Sequence, residues 1–274
     1  MCRVLKVSRG GYYLWSYRDH GARGLAEAVI RDAAARLFEG SSQTYGHRRI
    51  CAGLVALGLL CGPKRVARLM RKWDMQVKVK RKFRLTTDSK HGLAIAPNLL
   101  DRQFDQKAPN MAWVSDITYI WTDEGWLFLA TTMDLFSRKV VGWAMADHMR
   151  TDLVTKALQM AIDTRAPGPG LIHHSDRGSQ YASKEFRKML EKNHMLASMS
   201  RKGDCWDNAV MESFFGSLKT ERVHRDHYKD HRQGRTAVFQ YIETFYNTVR
   251  MHSTLGYQSP NEFEAEQSSI ANAA

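Results

Sequence analysis

Trp113-Val114-Ser115-Asp116-Ile117-Thr118-Tyr119-Ile120 is the stretch that decides how this chain folds. Its β-branched and aromatic residues spell a strand, yet a carboxylate stands in the middle. An ionised Asp in such company is costly unless it is paired or metal-bound, so Asp116 needs a partner. Working outward, residues 112–121, 126–133 and 139–145 form three strand-like runs at hairpin spacing. Asp123-Glu124-Gly125 and Phe136-Ser137-Arg138 supply the turns, which predicts a three-stranded meander. Residues 151–165 read as a helix capped by Thr151 or Asp152 and stopped by Pro167-Gly168-Pro169-Gly170. A short strand at 171–174, a helix at 183–193 and a strand at 195–199 follow. Asn208 then caps a helix running to about residue 221, and 236–250 forms a last long one. The order βββαβαβαα predicts an α/β fold with a mixed sheet and helical crossovers.

Two further acids stand where chemistry is expected. Asp176 directly follows the fourth strand, in His173-His174-Ser175-Asp176-Arg177-Gly178-Ser179-Gln180-Tyr181, and strand ends of α/β sheets are where ligand sites form. Glu212 lies one turn into its helix, facing away from the apolar side made by Val210, Phe214 and Leu218. Taken singly, each has an ordinary alternative: an ion pair, a turn cap, a first-turn helix acid. Converging, the three would repel one another, and a hard divalent cation with oxygen ligands relieves that repulsion. Magnesium suits such a site, with manganese as its substitute. Two ions about 3.5 to 4 Å apart form the clamp used in phosphodiester chemistry.

The charge points the same way. Net charge is +13, and residues 1–100 carry 20 Lys and Arg against 6 Asp and Glu, leaving 21 against 22 for the rest. A basic excess confined to the first third favours a polyanionic partner, double-stranded DNA above all. Residues 24–39 have helical spacing (Leu25, Val29, Ala33, Leu37), as do 45–57 (Ile50, Leu54, Leu57) and 63–74 (Val66, Leu69, Met70). Gly58 and Gly62 bracket a turn, Pro63 suits a first helical position, and Arg65, Arg68, Arg71 and Lys72 point away from the apolar side. This predicts a small all-α, helix-turn-helix-like domain that offers its basic helix to DNA; a solvated charged face on a helical hairpin is the plainer alternative. The run 78–84, Lys-Val-Lys-Arg-Lys-Phe-Arg, extends the positive surface. The expected organisation is a basic helical region at 1–85, a linker at 86–110, a catalytic core at 111–266 and a flexible tail at 267–274. No apolar run approaches the roughly 18 residues of a membrane span, and the start does not read as a secretory signal, so the expected location is the cytoplasm, in association with the nucleoid. Cys2, Cys51, Cys61 and Cys205 are scattered without a disulfide or zinc pattern and read as reduced thiols.

The motifs also resemble a known family. Trp113 to Tyr119, His174 to Tyr181, Cys205-Trp206-Asp207-Asn208-Ala209 and Glu212-Ser213-Phe214-Phe215 are similar to the second-reading-frame (OrfB) product of a large bacterial insertion-sequence transposase family. Its core is retroviral-integrase-like, of ribonuclease H-like fold. Tyr246-Asn247, Arg250, His252-Ser253, Leu255-Gly256-Tyr257 and Pro260 also fit, as do Val7 to Tyr13 and Tyr45-Gly46-His47-Arg48-Arg49-Ile50 upstream. Thirty-five residues, 177–211, separate Asp176 from Glu212, the spacing of the family's Asp-Asp-Glu signature. The resemblance implies a transposase that nicks a transposon end and transfers the freed strand, with Asp116, Asp176 and Glu212 both catalytic and metal-binding. It implies that Lys219, within about 20° of Glu212 on an α-helix, grips the transposon end. Arg250 and His252 become DNA or structural contacts near the site, and Arg48 and Arg49 join the DNA-facing set. His173 and His174 read as supporting residues beside the metal ligands or as packing residues, rather than as magnesium ligands, and Trp206 as a packing residue rather than one that stacks on a base. The resemblance further implies a frameshift fusion with the first-frame (OrfA) product and a homo-oligomer on DNA. The reading from another class is a catalytically silent regulator that occupies transposon ends.

Overall fold

A computed structural model describes residues 2, 4, 6–16, 22–77, 93–201 and 205–273. The chain divides into two compact units, residues 1–78 and 79–274. Val79 to Arg84, most of the predicted basic run, and the first part of the predicted linker lie outside the described residues, as does Lys78.

Unit 1 holds α1 (Arg9–Ser16), α2 (Ala22–Gly40), α3 (His47–Ala56) and α4 (Pro63–Lys72). Pro63 opens α4, where its fixed φ costs nothing and no amide is missed. Gly58, at φ +76°, makes the turn between α3 and α4 that a side chain would strain. Val66, Leu69 and Met70 are buried as predicted, but α2 is rotated from its expected phase. Ile30, Ala33, Ala34 and Phe38 face inward, whereas Leu25 and Val29 are 67% and 54% exposed, and Leu57 is exposed too. The two alanines decide this: side chains that short let the neighbouring helix pack directly over them.

In unit 2, β1 (Ala112–Thr122), β2 (Gly125–Asp134), β3 (Val140–Ala146), β4 (Ile172–Ser175) and β5 (Leu196–Met199) form a five-stranded sheet ordered β3-β2-β1-β4-β5. The first three strands pair antiparallel, as the hairpin turns require, and β4 and β5 join in parallel after helical crossovers. α5 (Thr151–Arg165) and α6 (Lys184–Lys192) provide those crossovers. With Trp113, Ala130 and Val141 their apolar residues make one core layer. Gly142 lets α5 lie directly against β3: a Cβ there would come within 2.2 Å of the Ala157 carbonyl. Opposite, α7 (Ala209–Leu218) and α8 (His231–Phe239) cover Val114, Ile120, Leu127 and Leu129. Both helices run on into wider π turns, at Lys219–Val223 and Gln240–Tyr246, which no sequence periodicity announces.

Several predicted boundaries are corrected. Neither Thr151 nor Asp152 caps α5, since Arg150 holds that position without a side-chain bond, and Asn208 makes no capping bond to α7. Residues 93–110 are not all linker: Leu100 is buried, and the Leu99 and Leu100 amides donate to Ser198 Oγ at 2.9 and 3.3 Å. The tail predicted at 267–274 is helical to its penultimate residue, the end of α9 (Pro260–Ala273). Glu264 anchors α9 by accepting from Arg165 at 2.7 and 2.9 Å and from Ser137 at 2.7 Å.

Candidate active site

The site begins with strand register. β1 and β4 run parallel, with Ser115 opposite Ser175, so Asp116 and Asp176 are each the next residue, Asp116 within β1 and Asp176 just past the end of β4. Neighbouring strands lie about 4.8 Å apart, and equal steps put both side chains on the same side of the sheet. Asp116 Oδ1 accepts from the Ile117 amide at 2.7 Å, and Asp176 Oδ1 accepts from Gly178 N at 2.9 Å. Gly178 keeps that turn open, because a Cβ there would meet the Asp176 carboxylate at 3.0 Å.

Electrostatics ties in the third acid. Burial raises the Asp116 pKa well above the ordinary carboxylate value; the Asp176 and Glu212 charges push it further, against the Ile117 amide and Lys219. Glu212 lies in the first turn of α7, on its exposed side, and partial burial raises its pKa as well. α7 packs against β1, which brings the acid to the sheet from its covered face. Lys219 closes the group: its Nζ lies 4.8 Å over the Tyr119 ring, and burial lowers its pKa while the Asp116 charge raises it. The α-helical phase from Glu212 holds through Lys219, where the π turn begins. Tyr181, named beforehand only as part of a motif, is buried and within electrostatic reach of both aspartates. Burial and both carboxylates raise its pKa well above 10.0, and its hydroxyl has no hydrogen-bond partner among the described residues.

The donors are all carboxylate oxygens carrying like charge, which suits a hard divalent cation. Among the described residues, however, no set of three His, Cys, Asp or Glu side chains is already gathered tightly enough to hold a metal. His173 and His174 are not poised as ligands. His173 Nε2 bonds Ser115 Oγ at 2.8 Å, and His174 bonds Ser198 and Ser200 at 2.8 and 3.2 Å. Burial lowers their pKa values to about 3 and about 4, so both are neutral packing residues, as expected.

Comparison with known proteins shows the domains and the family. Integrase core domain models match residues 106–205 and 212–267, and an HTH-like domain model matches 25–83. Transposase InsF for insertion sequence IS3A of Escherichia coli (strain K12) is 42% identical over 270 residues, 96% of this chain and 92% of that protein. The chain belongs to the IS3-type insertion-sequence transposases. An uncharacterized 31 kDa protein of insertion element IS600 from Shigella sonnei is also 42% identical, over 99% of this chain and all of its own length. The simian T-cell lymphotropic virus intasome in complex with PP2A regulatory subunit B56 gamma shares the fold at TM-score 0.50 and 14% identity, over 84% of this chain and 74% of that one. The transposase is therefore a DNA-acting polynucleotidyl transferase, with an integrase-like core and an N-terminal helix-turn-helix-like domain. Among its described residues no helix is long and apolar enough to cross a membrane.

Other predicted DNA contacts of the transposase fall in two classes. Arg48, Arg68, Arg71 and Lys72 are exposed on unit 1, with Arg49 and Arg65 half-buried. Arg49 stacks on Tyr45 at 5.4 Å, and Lys72 pairs with Glu27, whose carboxyl is held below its usual range by that bond and by the charges of Lys72, Arg65 and Arg68. Arg250 and His252, in contrast, are interior. Arg250 is 4% exposed and donates to both Glu221 oxygens at 2.7 Å and to Ser217 at 2.9 Å. His252 stacks edge-on against Tyr246 at 4.8 Å. The expected DNA contact is corrected to the structural alternative, because a guanidinium enclosed by a carboxylate offers nothing to a phosphate. Neighbouring Asn247 clamps the edge of β3, accepting from Val140 N and donating to Val140 O, both at 3.0 Å. Trp206 is corrected too: expected to pack, it is 69% exposed.

Proposed function

We propose that Asp116, Asp176 and Glu212 form the Asp-Asp-Glu site at which the transposase nicks a transposon end and transfers the freed strand. The adjacency of the two aspartates across β1 and β4 carries this reading, supported by the like-charge effect of Asp176 and Glu212 on Asp116. The three carboxylates would hold two divalent ions, magnesium or in its place manganese, which when bound supply charge stabilisation and activate the attacking oxygen. The aspartates are fixed by strand spacing, so α7 and the Glu212 side chain make the closing adjustment. Lys219 neutralises charge beside the acids and holds a phosphate of the end. Arg48, Arg49, Arg65, Arg68, Arg71 and Lys72 hold duplex DNA through its backbone, in a salt-sensitive way. The organisation is a basic helical region at 1–85 followed by the core. The partners are the first-frame product, joined by frameshifting, and further copies of the chain on DNA, in association with the nucleoid.

The test is Asp116→Asn with end-labelled transposon DNA. Loss of magnesium-dependent nicking and of the longer, branched strand-transfer products, with DNA binding retained, is expected. Unchanged activity would overturn the site, and a parent protein that binds ends without ever cutting them would make it a silent regulator.

A further inference from the structure

Trp206 is the most exposed large apolar residue among the described residues of unit 2, at 69% against 56% for Ile270 and 55% for Trp121. It is not loosely held. Trp206 lies in the 3-10 turn Cys205–Asn208 that leads into α7, and the residue after it, Asp207, is buried and fully engaged. Asp207 accepts from the Arg201 amide at 2.8 Å, from the Arg201 guanidinium at 2.9 and 3.1 Å, from Arg102 Nε at 2.9 Å and from Asn98 at 3.0 Å. Successive side chains in such a turn point about 120° apart, so the anchor that draws Asp207 inward holds the indole outward.

The place of this indole matters. It stands six residues ahead of Glu212, about 10 Å along the helix axis at roughly 1.5 to 2 Å per residue. At 3.4 Å per nucleotide, that distance spans about three nucleotides of a strand. Arg102 and Arg201, each with nearly half of its side chain exposed, flank the turn, both pairing with Asp207 and Arg201 also with Asp101. Drawing a base out of the stack beside a scissile phosphate costs about a few kcal/mol, which stacking on a side chain can offset. Indoles stack on any base, whatever its identity.

We propose that Trp206 stacks on a base displaced from the helix beside the scissile phosphate, holding the transposon end open for attack. The inference rests on Glu212 belonging to the reaction site. It is tested with the full chain and a duplex carrying the element's own terminus, with 5-iododeoxyuridine placed in turn at each nucleotide around the cut. Irradiation is expected to cross-link one of these positions to Trp206. Trp206→Ala is expected to slow nicking of the paired end by on the order of 10- to 100-fold, with Trp206→Phe retaining most of the rate. A mismatch at the cross-linked position should restore the Ala variant to near the parent's rate. The proposal is overturned if the parent nicks the end without any cross-link at Trp206, or if the Ala variant nicks paired ends normally. It is equally overturned if that variant is as slow on mismatched ends as on paired ones. Failure of the Asp-Asp-Glu reading would show instead as cutting that survives Asp116→Asn.

Discussion

Replacing Arg250 by Met separates a fold contact from a DNA contact. Its guanidinium and the Glu221 carboxylate have side-chain exposures of 5% and 9%. They meet through two bonds of 2.7 Å, while the Tyr241 hydroxyl donates to the same carboxylate at 2.8 Å. Removing the cation takes away the guanidinium that pairs with the buried Glu221 carboxylate, and breaking a buried pair from one side costs about 3–5 kcal/mol. For a unit of this size each kcal/mol shifts the melting temperature by about 2–4 °C, so a fall of roughly 6–20 °C is expected. Thermal unfolding of the full chain by circular dichroism measures it. Adding Glu221→Gln to Arg250→Met should recover part of the loss, because no uncompensated charge then remains. A variant that melts within about 2 °C of the parent but binds DNA poorly would refute the reasoning and return Arg250 to the DNA surface.

Three other outcomes follow from the same structure. Gly142→Ala should lower stability by about 1–3 kcal/mol or more in denaturant titration, since α5 must lift away from β3, while a variant as stable as the parent would contradict that close approach. Asp116→Asn should melt higher than the parent in metal-free buffer near neutrality. The folded Asp116 pKa lies above the unfolded value, so its ionisation costs the fold increasingly as pH rises through that raised value, and the gain should vanish toward 3.8; no gain would mean the acid is not strained. The neutral histidines work in the opposite direction. Their folded pKa values, about 3 and about 4, lie below the unfolded 6.5, so their contribution is complete above 6.5 and is lost as pH falls toward 4. Melting temperature against pH should fall across that window, less steeply in His174→Gln; an unchanged slope would count against the neutral imidazole.

Much of this was legible beforehand where one residue contradicted its surroundings. Asp116 was visible as a charge inside an apolar strand, and Asp176 as an acid at a strand end. Periodicity also located the five strands and most helices to within a residue or two. What escaped depended on three-dimensional partners. Arg250 looked like a surface cation because its carboxylate lies 29 positions earlier, on the far side of a helix and a π turn. Leu25 and Val29 fitted a helical stripe as well as Ile30, Ala33, Ala34 and Phe38 did, and only packing of the neighbouring helix distinguishes the two phases. Leu100 sat in a Pro-punctuated polar stretch, with nothing local to show that Ser198 would take its amide.

The parallel pairing of β1 with β4 also bears on how the protein is made. Sixty positions separate the two aspartates, and the glutamate comes 36 later still. A hairpin of the first strands can form early, but β4 must cross over before it pairs, and distant closures of this kind come late in folding. On the proposed reading, a ribosome that stalls anywhere before α7 releases a chain lacking a complete set of ligands. Cutting by this site, on that reading, waits until the whole core has been made.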